Sequence, residues 1–148
     1  MPFDYSLDFD NIDFREKPEL YCVGRGEQGV LLVEPYKSEI LPYWRFKTPE
    51  IAKESSEKIY QMFLDYKASR DFVGMDMARK FLQIGYTRAR RYTNYKGGRK
   101  YEKDGSLKER QNDPIKARSA IIFKEKWKLA REDEGYLVMK KKHQKKYG

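Results

Sequence analysis

The sequence predicts an α+β fold, in which a small antiparallel sheet from the N-terminal region packs against three helices. Two short apolar runs, 20–23 and 30–33, flank a glycine-rich segment, which is the pattern of a β-hairpin. The pairs Thr48-Pro49 and Asp113-Pro114 combine a preferred N-cap residue with proline at the first helical position. Between and after these pairs, apolar residues recur at helical spacing.

The strand predictions are confined to the N-terminal region and one late segment. Alternating Tyr5, Leu7 and Phe9 indicate a short strand or an extended arm with one buried face. The hairpin covers about 19–34, and the glycines of its connection permit a positive φ. Pro35 ends its second strand because proline has no N–H to donate to a ladder. Residues 136–139 predict a last short strand.

Three helices are predicted, at about 49–69, 71–92 and 114–131. The first begins after the N-cap Thr48 and the third after Asp113. On the second, we expect an apolar face against the core and a polar face that carries the basic residues. These basic residues are Arg79, Lys80, Arg88, Arg90 and Arg91. Residues 1–139 are thus predicted to form one α+β domain, followed by a basic, disordered tail at 140–148.

Length and composition restrict the class of protein. The 148 residues suit one domain, and an aromatic content of 15% is high for a disordered chain. The only cysteine, Cys22, excludes an intramolecular disulfide, which favours a cytoplasmic setting. The N-terminal residues lack the pattern of a signal peptide, and no apolar stretch is long enough to span a membrane. The oligomeric state is left open.

Charge is distributed unevenly along the chain, whose formal net charge is +9. The first twenty residues are mainly acidic, whereas 79–103 and the lysine-rich end are strongly basic. This asymmetry indicates either a self-complementary fold or a surface that attracts polyanions.

Four strings carry a resemblance to a known family. They are GEQGVLLVEPYK at 26–37, WRFKTP at 44–49, GYTRARRY at 85–92 and NYKGGRKY at 94–101. With them, nearly the whole chain resembles a family of uncharacterised small basic proteins, a domain of unknown function, found in bacteria, fungi and tailed phages. The resemblance implies an intact single-domain protein in a microbial or viral setting, and it implies no catalytic residue, ligand or site.

The basic segment at the end of the second helix is the main candidate site. Nucleic-acid binding requires cations that neutralise phosphates, together with planar groups that stack on bases. The segment supplies both, and its glycines would let the backbone approach a phosphate. The residues predicted to bind are Arg88, Arg90, Arg91, Tyr95, Lys96, Arg99 and Lys100. The alternative is a solvated helix face whose arginines pair with the acidic N-terminal arm.

Two further motifs carry no site. Residues 24–29 match G-x-G-x-x-G, but a dinucleotide-binding loop must open a helix, whereas an apolar run and Pro35 follow here. A plain turn is the favoured interpretation. The aspartates Asp4, Asp8, Asp10 and Asp13 could hold Mg²⁺, although solvent-facing residues are the simpler interpretation. We therefore predict no catalytic residue, metal site or cofactor.

The sequence favours a non-enzymatic accessory protein that binds nucleic acid or another polyanion. One alternative is a metal-dependent enzyme that processes phosphodiesters or nucleotides. A second alternative is a protein–protein interaction module of a phage or bacterium. Catalysis is left undecided, with no constellation of residues in its favour.

Overall fold

The part of the chain that the structure describes is mostly helical. A computed structural model describes residues 2–95, 101–106 and 113–148, and none of these residues forms a strand. The helices are α1 (Tyr36–Ile40), α2 (Pro49–Ala68), α3 (Phe72–Asn94), α4 (Pro114–Arg131) and α5 (Glu134–Tyr147). Short 3₁₀ turns lie at Phe9–Asn11, Pro18–Leu20 and Leu41–Tyr43. The prediction of an α+β fold is therefore wrong.

The predicted hairpin at 19–34 is a succession of turns. Its backbone N–H groups donate to carbonyls three residues earlier, so they are not available to a partner strand. These bonds join Gln28 N to Arg25 O, Val30 N to Glu27 O and Leu32 N to Gly29 O, at 3.0–3.1 Å. Four residues of the apolar runs are buried in the core, namely Tyr21, Val23, Val30 and Val33, whereas Leu31 is exposed. Tyr21 and Val33 are both fully buried.

The three predicted helices are confirmed, because the residues that cap them act as the sequence indicates. The Thr48 hydroxyl accepts a hydrogen bond from the N–H of Ile51, and Pro49 begins α2. Asp71 and Asp113 cap α3 and α4 in the same way. The bounds differ by one residue at the end of α2 and at the start of α3, and by two residues at the end of α3, which reaches Asn94. No helix in the described ranges is both long and apolar enough to cross a membrane.

The C-terminal residues differ from their prediction. The run 136–139, predicted as a strand, lies inside α5, and the same helix continues through 140–147, where the sequence predicts disorder. Asp133 caps α5 by accepting from the N–H of Tyr136. Tyr136 and His143, seven residues apart and therefore on one side of the helix, are buried. The carbonyl of Gly148 accepts from the N–H of Val23, which attaches the end of the chain to the N-terminal segment.

Helix α3 lies at the centre and packs against α2, α4 and α5. Eleven consecutive residues, 72–82, are buried, so this half of the helix has no solvated face. Further along, Gly85 lets α4 approach closely, because a Cβ there would lie 2.3 Å from the ring of Phe123. The C-terminal half of α3 and the whole of α4 thus form one surface layer.

Candidate functional site

The basic residues at the end of α3 are accessible. Arg91 is exposed, and Arg88, Arg90 and Tyr95 are partly exposed. The guanidinium of Arg88 lies 5.3 Å from the ring centroid of Trp44. None of the three arginines forms an ion pair with any residue of 2–95, 101–106 or 113–148. The predicted residues Lys96, Arg99 and Lys100 lie outside the described residues.

The acidic N-terminal arm does not neutralise this surface. Its carboxylates bond locally: Asp4 accepts from Ser6, Asp8 from Asn11, and Asp13 from the backbone N–H groups of Arg15 and Glu16. Among the described residues, the ion pairs of the chain involve other cations. Among the described residues, Arg88, Arg90 and Arg91 do not pair with the arm.

An aromatic pair with two cations extends the basic surface onto α4. The rings of Tyr86 and Trp127 are stacked, with centroids 5.8 Å apart. The ammonium of Lys124 lies 5.5 Å from the centroid of Tyr86, and the guanidinium of Arg131 lies 4.1 Å from that of Trp127. Tyr86 and Arg90 are four residues apart and therefore neighbours on one side of α3. We call this the α3–α4 surface: Tyr86, Arg90, Arg91, Lys124, Trp127 and Arg131.

Sequence reasoning found only the α3 part of this surface. The spacing of Lys124, Trp127 and Arg131 along α4 was the available signal, because residues three and four apart share a helix side. Tyr92, which follows the arginines and could stack on bases by its place in the sequence, instead packs against Phe46, with centroids 5.8 Å apart.

Two other predicted surface cations are buried, so their placement on the polar face of α3 is wrong. Arg79 and Lys80 surround the carboxylate of Asp76, which is fully buried. Tyr21 and Tyr136 donate their hydroxyls to the same carboxylate. We call these five residues the Asp76 network. It joins α3 to the N-terminal segment and to α5, and so it is part of the core and not of a binding surface.

Carbonyl oxygens complete the Asp76 network. The guanidinium of Arg79 donates to the carbonyl of Gly26, and Lys80 Nζ donates to the carbonyl of Gln28 at 2.6 Å. No buried side-chain nitrogen or oxygen in the described part of the chain lacks a hydrogen-bond partner. The segment 24–29 therefore contributes backbone carbonyls to the core. Gly29 also allows Phe3 to pack closely against the backbone, because a Cβ at this position would lie 2.2 Å from the ring of Phe3.

Burial and charge change the pKa values of this network in opposite directions. Burial would raise the pKa of Asp76, but Arg79 and Lys80 outweigh it and lower this pKa to about 2. Burial lowers the pKa of Lys80 to about 8, because Asp76, at 3.8 Å, compensates only part of the desolvation. Burial, reinforced by Asp76, raises the pKa of Tyr21 and Tyr136 well above the ordinary value.

The lowered pKa of Lys80 predicts that the protein becomes more stable between pH 8 and 9. In this range the unfolded chain keeps the proton of Lys80, because the ordinary pKa of a lysine is 10.5, while the folded protein releases it. The unfolded state therefore binds more protons, and the free energy of unfolding rises with pH by about 1 kcal/mol. Above pH 10 the buried tyrosines reverse the trend, because they ionise only in the unfolded chain.

Denaturant unfolding at several pH values measures this effect, with Lys80→Met as the comparison. Methionine removes the titrating group and retains an apolar side chain against Phe3 and Tyr21. The variant should lose the rise between pH 8 and 9. Equal slopes for both proteins would mean that Lys80 titrates at its ordinary pKa.

The described residues bring together no group of three His, Cys, Asp or Glu side chains that could hold a metal ion. Cys22 is partly buried, and its thiol lies 3.6 Å from the carbonyl of Tyr147.

Comparisons with known proteins place the chain in a family but assign it no activity. No curated protein and no solved structure matches the chain. One family model matches residues 4–146, which is nearly the full length. The chain therefore belongs to the family described as a domain of unknown function (DUF4385).

Proposed function

We propose that this protein binds nucleic acid through the α3–α4 surface and acts as a non-enzymatic accessory protein. One observation carries the proposal: the cations of this surface have no carboxylate partner among the described residues. When unpaired arginines and lysines neutralise phosphates, they release the cations condensed on the nucleic acid, and this release favours binding. The cytoplasmic setting and the microbial or viral source stay predictions from the sequence.

The arrangement of the surface suits a polyanion that carries phosphates along its length. Arg90 is a helix neighbour of Tyr86 on α3, and Arg91 follows it. The rings of Tyr86 and Trp127 stack on each other, and Lys124 and Arg131 lie over them, so the rings hold these cations in place and would meet bases at their edges. Phosphates would bind the arginines and Lys124. A polyanion without bases would use the charges alone. Lys140, Lys141, Lys142, Lys145 and Lys146 on α5 add further positive charge.

A salt titration of binding tests the proposal. The probes are fluorescent single-stranded DNA, duplex DNA and RNA, and the variant is Arg90→Gln/Arg91→Gln. We expect the variant to bind each probe more weakly and the slope of log affinity against log salt to fall by about 1.4–1.8. The control is Lys17→Gln/Lys53→Gln, which removes the same charge from exposed positions elsewhere.

The control variant distinguishes binding at a local site from attraction of the probes by the net charge of the protein. Equal loss in both variants would mean that net charge alone attracts the probes, which contradicts a site on α3 and α4. If the wild-type protein binds none of the probes at low salt, the interaction-module alternative takes the place of this proposal.

A further inference from the structure

A second candidate site lies at the opposite end of α3. A cleft of about 730 Å³ forms where the N-terminal segment, the α2–α3 junction and α5 meet. Small-molecule sites have volumes of this order. Its polar lining includes Arg15, Arg70 and His143, and its apolar lining includes Pro18 and Phe72.

Arg70 occupies a position that normally favours glycine. Its φ is +56°, in the left-handed region, where a side chain adds a steric cost. Two backbone bonds identify the position: Asp71 N donates to Tyr66 O, and Arg70 N donates to Lys67 O. This is the Schellman pattern that ends many helices, usually with glycine at this residue. The exposed guanidinium has no hydrogen bond or ion pair with any residue that the structure describes.

His143 presents an unbonded nitrogen in the same cleft. The side chain is only 7% exposed and lies among the rings of Tyr21, Phe72 and Tyr147. Its Nε2 contacts the carbonyl of Tyr21, so Nε2 carries the proton. In the neutral ring Nδ1 is then an acceptor, and it has no partner in the described part of the chain. Because every fully buried side-chain nitrogen and oxygen there has a partner, Nδ1 must keep some contact with solvent. A ligand in this cleft would satisfy Nδ1 by offering it a donor.

Of the two acidic residues of the cleft, Asp71 lies against a cation, whereas the exposed Asp65 forms no ion pair with any residue that the structure describes. Asp71 accepts from the hydroxyl of Tyr36 and lies 3.6 Å from Nε of Arg15. Asp65 accepts from the amide of Gln61 at 3.0 Å. Arg15 makes a bidentate pair with Glu39. Arg70 is therefore the cation of the lining that is left to bind an anion.

We propose that this cleft binds a phosphate group, either free or carried by a small organic molecule. Phosphate offers a matching feature to each of two groups of the lining, Arg70 and His143. Its anionic oxygens match the planar fork of Arg70, and its P–O–H can donate to Nδ1 of His143. The volume beyond one phosphate, along Pro18 and Phe72, leaves room for an organic group.

This site is separate from the α3–α4 surface. Phe72 and Arg90 are eighteen residues apart on one helix, which is about 27 Å along its axis. The two proposals can therefore fail independently, and the Arg90→Gln/Arg91→Gln variant should keep the phosphate site intact.

Amide NMR titrations test the site with three probes, which are inorganic phosphate, sulfate and phenyl phosphate. We expect phosphate to shift the amides of Ser69, Phe72 and Tyr147. Sulfate has the same shape but carries no proton at neutral pH, so it should bind about tenfold more weakly. Phenyl phosphate is compared with phosphate at pH 6, because a phosphate monoester keeps about half of its second proton there. Tighter binding of phenyl phosphate at this pH would assign the site to an organic phosphate, and equal or weaker binding would assign it to the free ion.

The variant Arg70→Gly distinguishes a binding role from a structural one. Glycine adopts the positive φ without strain, so the melting temperature should be no lower than that of the wild type. Phosphate should nevertheless bind at least about tenfold more weakly, because the guanidinium is lost. Lys53→Ala, which removes one exposed charge from α2, should change neither quantity.

Three results would overturn the proposal. The first is the absence of shifts at these amides with either phosphate probe at about 10 mM. The second is equal affinity for phosphate and sulfate. The third is unchanged phosphate binding by Arg70→Gly.

Discussion

We expect Asp76→Asn to lower the free energy of unfolding by about 3–5 kcal/mol, the largest effect of any single substitution considered for this protein. The side chain is fully buried, and it is the counterion of Arg79 and Lys80, which are themselves almost entirely buried. Asparagine has the same shape but no charge. The two cations would then stay in a medium of low polarity with no charge to compensate them.

The hydroxyl groups around Asp76 add to this cost. Tyr136 donates to Oδ1 at 2.6 Å, and Tyr21 donates to Oδ2. An amide NH₂ at either position cannot accept, so at least one hydroxyl loses its partner inside the core. A buried donor without an acceptor costs about 1–3 kcal/mol. The structure thus predicts that the loss of Asp76 destabilises the cations and the hydroxyl groups of the network together.

Urea unfolding of the variant measures the loss, with Asp10→Asn as the control. Asp10 is exposed, so its replacement should change stability by less than about 0.5 kcal/mol. The double variant Asp76→Leu/Arg79→Met should be less destabilised than the sum of the two single changes, because it removes both charges. A loss below about 1 kcal/mol for Asp76→Asn would contradict a buried, charged network.

The helices could be predicted from the sequence because their signals are local. Thr48-Pro49 and Asp113-Pro114 specify a cap and the first helical residue, and the caps form as indicated. The sheet could not be excluded in the same way. A run of four apolar residues is compatible with a buried strand or with any buried segment, and only contacts distant in sequence decide between them. In this protein, the hydrogen bonds of the turns within 25–32 and the packing against α3 decide against a strand.

The residues of the candidate site also differ in whether local sequence signals reveal them. The exposed arginines on α3 could be found from charge density, which is visible in sequence. The burial of Arg79 and Lys80 could not, because charged residues are expected outside and only Asp76 makes their burial possible. The cleft beside Arg70 could not be predicted from the sequence either. It depends on a backbone φ and on His143, which lies more than seventy residues further along the chain.

Truncation after Met139 tests the other large disagreement between sequence and structure. If residues 140–148 were a disordered tail, their removal would leave stability unchanged. In the structure they are the second half of α5, and His143 is buried against Tyr21 and Phe72. We therefore expect the truncated protein to lose about 3–5 kcal/mol, from the burial of this ring and from lost hydrogen bonds.

The hydrogen bonds at stake attach the C-terminal end to the N-terminal segment. The carbonyl of Tyr21 loses Nε2 of His143, and the N–H of Val23 loses the carbonyl of Gly148. Tyr21 and Val23 are both buried, so water cannot readily replace these partners. The six residues of α5 that remain are also too few to hold a helix without tertiary contacts.

A variant that changes only charge distinguishes the contribution of packing to stability from the contribution of the lysine charges. Replacing Lys141, Lys142, Lys145 and Lys146 by glutamine keeps the helix and removes the positive charge. Lys141 and Lys145, like Lys142 and Lys146, are four residues apart on α5, where like charges repel. The quadruple variant should therefore be at least as stable as the wild type, while the truncated protein is much less stable. Equal stability of the truncated and wild-type proteins would show instead that α5 contributes nothing beyond Met139, and the burial of His143 would then have no energetic role.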